Sequence, residues 1–141
     1  MFKLFSDSSH AIKHANEAVD KLRKEEAKTN DVLKKTKYLW LKNDSNLTEK
    51  QCNKKELPSA MHLKTARAYS MRVELQDIYE SCFDRGTVET RLKKLCSWMM
   101  HSRLEHMKAF CEMVRNHWDT ILNYFDNRYT NAVLEGVNSV V

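Results

Sequence analysis

Two carboxylates at opposite ends of the chain, Asp7 and Glu135, are the residues best suited to chemistry. Asp7 follows a short apolar stretch, Phe2 to Phe5, and precedes a helix that begins near His10. An aspartate where a strand ends and a turn begins is well placed to face a cleft. Glu135 stands in a helical segment and is followed at once by Gly136. Carboxylates brought together from distant segments hold Mg²⁺, a hard ion that prefers oxygen ligands and keeps several waters. Two such ions about 3.5–4 Å apart clamp the attacking and leaving oxygens of a phosphodiester exchange. The plainer reading is Asp7 as a helix cap and Glu135 as a solvated acid, and spacing alone does not separate the two.

Other chemistries find less support. His101 and His106 are five apart, and His62, His117 and the four cysteines are scattered without ligand spacing. There is no glycine-rich phosphate loop and no G-x-S-x-G elbow. Cys82, Cys96 and Cys111 fall on apolar helical stripes and read as buried free thiols in a reducing cytoplasm. Trp98, Met99, Met100 and Trp118 read as core.

Charge is uneven. Between Asp31 and Arg67 nine Lys or Arg stand against four acids, a surplus of five that equals the net charge of the whole chain. Lys34, Lys35, Lys37, Lys42, Lys54, Lys55, Lys64 and Arg67 are the candidate phosphate contacts, by Coulomb attraction and counterion release. Lysines without an arginine cluster suit backbone contact better than base reading. A solvated lysine-rich face is the alternative.

The elements that must position these residues are helices. Of 141 residues only two are glycine and one proline, too few for the turns of a sheet. No run of eighteen apolar residues marks a membrane span, and Met1 to Phe5 is too short for a secretory signal. Apolar steps of three and four predict a helix from about His10 to Lys28 (Ile12, Ala15, Val19, Leu22) and a shorter one over Val32 to Leu41. A turn at 43–46 and a short polar helix capped by Thr48 follow. Pro58 and Ser59 open a long helix to Cys82 with Met61, Ala68, Met71, Leu75, Ile78 and Tyr79 inward. Thr87 caps the next, with Val88, Leu92, Leu95, Cys96 and Met99 inward. One helix is predicted from Ser102 to Phe125, with Leu104, Met107, Cys111, Val114, Trp118, Ile121 and Phe125 forming a seam for a hairpin or for a second copy. Thr130 or Asn131 caps a last short helix, in which Gly136 implies a close approach by another group.

Several strings carry a likeness: His14-Ala15-Asn16-Glu17-Ala18-Val19-Asp20, Lys37-Tyr38-Leu39-Trp40-Leu41-Lys42-Asn43, Asn46-Leu47-Thr48-Glu49-Lys50-Gln51, Leu63-Lys64-Thr65-Ala66-Arg67-Ala68-Tyr69, Cys96-Ser97-Trp98, and Thr130 to Asn138. In this order they resemble bacterial insertion-sequence transposases of the DDE type, from about Asp7 to the last residue. The group most resembled has an RNase H-like core split by a long helical insertion between its second and third acids. The resemblance implies a mainly α chain: residues 1–9 as a remnant of the core strand with the second acid, 10–128 as the helical insertion, and 129–141 as the start of the core helix with the third acid.

It further implies that Asp7 and Glu135 are two of three carboxylates that bind two Mg²⁺ for DNA cleavage and strand transfer. No part of this chain matches the strand of the first aspartate, so the chain is expected to be a fragment, inactive alone. Transposon-end DNA is the implied partner, the bacterial cytoplasm the implied compartment, and uncovered apolar surface favours homo-oligomers. A non-catalytic helical module that binds DNA or self-associates is the alternative.

Overall fold

The computed structural model describes residues 8–29, 40, 48, 49 and 63–140, without the side chains of 8 and 138–140. They form five helices: α1 Ser8–Ala27, α2 Lys64–Ser81, α3 Arg85–Met100, α4 Glu105–Asn116 and α5 Trp118–Val140. Among the described residues there is no strand. Apart from Trp40, the predicted helix over 32–41, the turn at 43–46 and the segment 50–62 lie outside the described residues. Trp40 is described, helical and buried, with its ring edge-on to Tyr69 at 5.8 Å.

Each helix buries a stripe at three- and four-residue steps, which is why the apolar period foretells its inner face. In α1 the stripe is Ala11, Ala15, Ala18, Val19 and Leu22, whose small alanines admit close neighbours, while Ile12 is only partly buried. In α3 it is Val88, Leu92, Leu95, Cys96 and Met99, as the period predicts. Trp98 departs from expectation at 42% exposed, because it lies one residue off that stripe.

Helix ends show how the bundle is joined. α2 starts at Lys64, not at Pro58 or Ser59, and its cap comes from another helix. The Glu26 carboxylate of α1 accepts from the Lys64 N–H at 2.8 Å and the Thr65 N–H at 2.9 Å, and from the Thr65 hydroxyl at 2.8 Å. α1 and α2 are antiparallel, since the end of α1 meets the start of α2 there, while Ser9 shares a cavity with Gln76, Tyr79 and Glu80 near the other end. The α2–α3 hairpin is held by Arg91, which reaches Asp77 at 2.7 Å and Glu74 at 2.8 Å, and by Arg67, which donates to the Ser102 carbonyl at 2.8 Å. The connector before α4 turns at Arg103, the one described non-glycine residue with positive φ (62°).

The cap of α3 is Asp84 rather than Thr87. Its carboxylate accepts the Thr87 N–H at 2.9 Å, satisfying a donor that a helix start otherwise leaves bare. That hydrogen bond holds the Asp84 carboxyl below its ordinary 3.8. A depressed carboxyl contributes stability above its unfolded pKa and loses it as pH falls through the folded value. Acid titration of Asp84→Asn by circular dichroism should therefore show a weaker loss of stability below about pH 4 than the parent shows.

The helix predicted from Ser102 to Phe125 is two helices. The Met113 carbonyl receives both the His117 N–H at 3.1 Å and the His117 ring Nδ1 at 2.9 Å, and the chain turns there before Trp118. The seam survives the turn: Leu104, Met107, Cys111, Val114, Ile121 and Phe125 are buried, and Trp118 packs against them. It lies inside the bundle, where α4 meets α1 and α3. The last helix is not separate. α5 runs unbroken through Thr130, whose hydroxyl donates back to the Asp126 carbonyl at 3.0 Å instead of capping.

Candidate functional site

The bundle has two ends, and at one of them the start of α1 meets the middle of α5. At this end lie Ser9 at the start of α1, Tyr79 and Cys82 at the close of α2, Arg85 at the start of α3, and Asp126 with Arg128 midway along α5. Arg85 pairs with Asp126 at 2.7 Å. The Arg128 guanidinium donates to the carbonyls of Tyr79 and Cys82, which the end of α2 leaves without helical partners. It sits against the rings of Phe83 and Phe125, both at 5.0 Å, and Tyr124 at 5.7 Å. A planar cation stacked on aromatics and bonded to helix-end carbonyls fixes where α5 crosses α2. Ser9 and Arg128 line one cavity of about 330 Å³.

Beyond Arg128 burial stops. Residues 129–137 are all exposed, and they include Tyr129, Val133, Leu134 and Val137 at 47–57%. Glu135 is on this bare stretch, seven residues past Arg128, or about 10.5 Å along the helix. Gly136 does not meet the predicted close approach, since a Cβ built there would have nothing within 4 Å. The change from packed to bare falls at the boundary between residues 128 and 129.

Asp7 lies outside the described residues, two positions before Ser9. Among the described residues no three His, Cys, Asp or Glu are grouped to hold a metal ion. Glu135 supplies a hard oxygen donor but is no metal site by itself, so no metal-dependent step follows from these residues alone. Of the candidate DNA contacts, Lys34, Lys35, Lys37, Lys42, Lys54 and Lys55 also lie outside the described residues. Lys64 is exposed at the start of α2, whereas Arg67 is engaged with the Ser102 carbonyl. The sequence pattern does not single out Arg128 and Ser9 as part of this end. The one signal for Arg128 is its place three residues after Phe125, on the line that continues the seam.

Residues 3–141 match a transposase family model, that of the ISL3 type of DDE enzyme. The chain belongs to that family. No curated protein and no solved structure matches it. The family's substrate is DNA, and its members use divalent metal ions. Among the described residues no helix is long and apolar enough to cross a membrane.

Proposed function

We propose that this chain supplies the helical insertion and two of the three metal-holding carboxylates of a transposase centre for DNA cleavage and strand transfer. Asp7 and Glu135 are those two, 10–128 is the insertion, and 129–141 begins the core helix. One observation carries the reading: Ser9 and Arg128 line the same cavity. The start of α1 and the middle of α5 therefore meet at one end of the bundle, which supports a site shared by the segments that adjoin them. The uncovered Tyr129, Val133, Leu134 and Val137 supply an apolar face for the rest of such a core to cover. Lys34, Lys35, Lys37, Lys42, Lys54, Lys55, Lys64 and Arg67 are the proposed phosphate contacts, on the strength of their charge.

Two divalent ions, when held, stabilise the entering and leaving oxygens of the phosphodiester exchange, and the chain's part is to present oxygen ligands at fixed separation. With two carboxylates instead of three, neither ion is properly held. The purified chain should give no nicked or joined product from supercoiled DNA with Mg²⁺ or Mn²⁺, read on agarose gels. Robust nicking that disappears in Glu135→Gln would show that the chain is a complete nuclease and that this division of ligands is wrong.

A further inference from the structure

The turn at His117 helps to build a second cavity, which the carboxylate reading does not use. Lys93 and Cys96 are three apart on α3 and so share a face, while Arg115 closes α4 and Trp118 opens α5. Among the described residues these four line a space of about 370 Å³ where the three helices meet. Small-molecule sites run from about 300 to 1,000 Å³, so this one suits a small ligand. Its wall is mixed in character. Trp118 packs against the core yet is only half-buried, whereas Val114 and Ile121 on the same seam are 0% and 1% exposed. Part of the indole therefore faces the cavity instead of the interior. Cys96, 3% exposed, behaves as a small hydrophobe beside it. Lys93 and Arg115 are both exposed and bring two positive charges from two different helices. Lys93 also reaches Glu89 at 3.4 Å, a surface ion pair that competes weakly with a new anion. No acid is among the four lining residues.

We propose that this cavity binds one unpaired nucleotide, its base against the Trp118 ring and its phosphate between Lys93 and Arg115. The two halves of the wall select for the two halves of the ligand. An uncharged ring would leave two cations unanswered, and a bare phosphate would leave the indole and the thiol against water. A base inside a duplex has both faces covered by its neighbours, so only an unstacked base meets the indole. Stacking is tolerant of sequence because every base has a π face, and the two cations answer phosphate whatever the base. A free nucleotide and a nucleotide within a single strand carry this same chemistry. The site lies apart from Ser9 and Arg128, which line a different cavity, and it does not depend on how Asp7 and Glu135 share metal ions.

The test measures binding of a fluorescein-labelled short thymidine strand to the whole chain by anisotropy, across a range of salt. Competitors are thymidine monophosphate, the same strand with abasic residues, and a blunt duplex. A strand carrying 5-iododeoxyuridine, irradiated on the protein, should crosslink to the peptide that contains Trp118. The abasic strand, which keeps every phosphate, should bind at least about fivefold more weakly than the intact one. Trp118→Leu should lose as much, with its fold checked by circular dichroism. Arg115→Gln, a surface change that leaves the core alone, should lower the slope of log affinity against log salt by about 0.7. Competition by the monophosphate would name a free nucleotide as the source, and competition by the strand alone would name single-stranded DNA. Equal affinity for intact and abasic strands would overturn the proposal. So would crosslinking to the exposed Trp98 instead of Trp118, a duplex that competes as well as the strand, or no binding by strand and monophosphate alike.

Discussion

Val114→Asp should abolish the folded state. Val114 is fully buried on α4, in the seam that α4 shares with its neighbours. An ionised carboxylate there would lose its water with no cation provided for it, and pairing failures of that kind cost about 3–5 kcal/mol or more. Removal of the valine's packing adds to this. Small domains hold only about 5–15 kcal/mol in total, so the variant should lose its cooperative thermal transition in far-ultraviolet circular dichroism. The same substitution distinguishes two uses of the seam. If Val114→Asp melted like the parent and changed only the size of the particle in solution, the seam would be a contact between copies and not the core described above.

Phe125→Ala should lower unfolding free energy by about 3–5 kcal/mol, the usual range for deleting a large buried ring. Phe125 is fully buried, lies 5.0 Å from the Tyr79 ring and 5.3 Å from the Tyr124 ring, and is one wall of the Arg128 stack. Its loss removes apolar area and also loosens the guanidinium that ties α5 to the last carbonyls of α2. Urea titration of parent and variant would measure it, with the midpoint falling and the slope unchanged. A drop under about 1 kcal/mol would mean that α5 is held at this end by something other than the Tyr79–Phe125–Arg128 cluster.

How far the sequence carries can be judged from these same residues. Val88, Leu92, Leu95, Cys96 and Met99 recur at helical steps, so the period alone reveals the inner face of α3. It does not reveal Arg72. That residue is buried in the α2 stripe, bonded to Gln76 at 2.6 Å and lying over the Tyr69 ring at 4.9 Å, and a charged residue is discounted when a stripe is read by hydropathy. The start of α2 escapes a local reading because its cap, Glu26, is far away in sequence and such a reading sees only local partners. The turn at His117 is hidden because the seam keeps its period through it. For the candidate site, Glu135 is marked by its neighbours Asn131 to Gly136 and their family likeness. The meeting of Ser9 and Arg128 is visible only in the packing. No spacing rule relates residues separated by most of the chain, so the convergence of Ser9 and Arg128 is a property of the fold and not of any one segment.

That convergence is most directly tested by the separation of residues 7 and 135. Spin labels on Asp7→Cys and Glu135→Cys, with Cys52→Ser and the three buried thiols left in place, allow a pulsed dipolar measurement in the folded chain. Because Ser9 and Arg128 share a cavity and Glu135 follows by about 10.5 Å of helix, a distribution centred at about 20 Å or less is expected. A centre beyond about 30 Å, the length of a twenty-residue helix, would put the two carboxylates at opposite ends of the bundle and contradict a shared ion site.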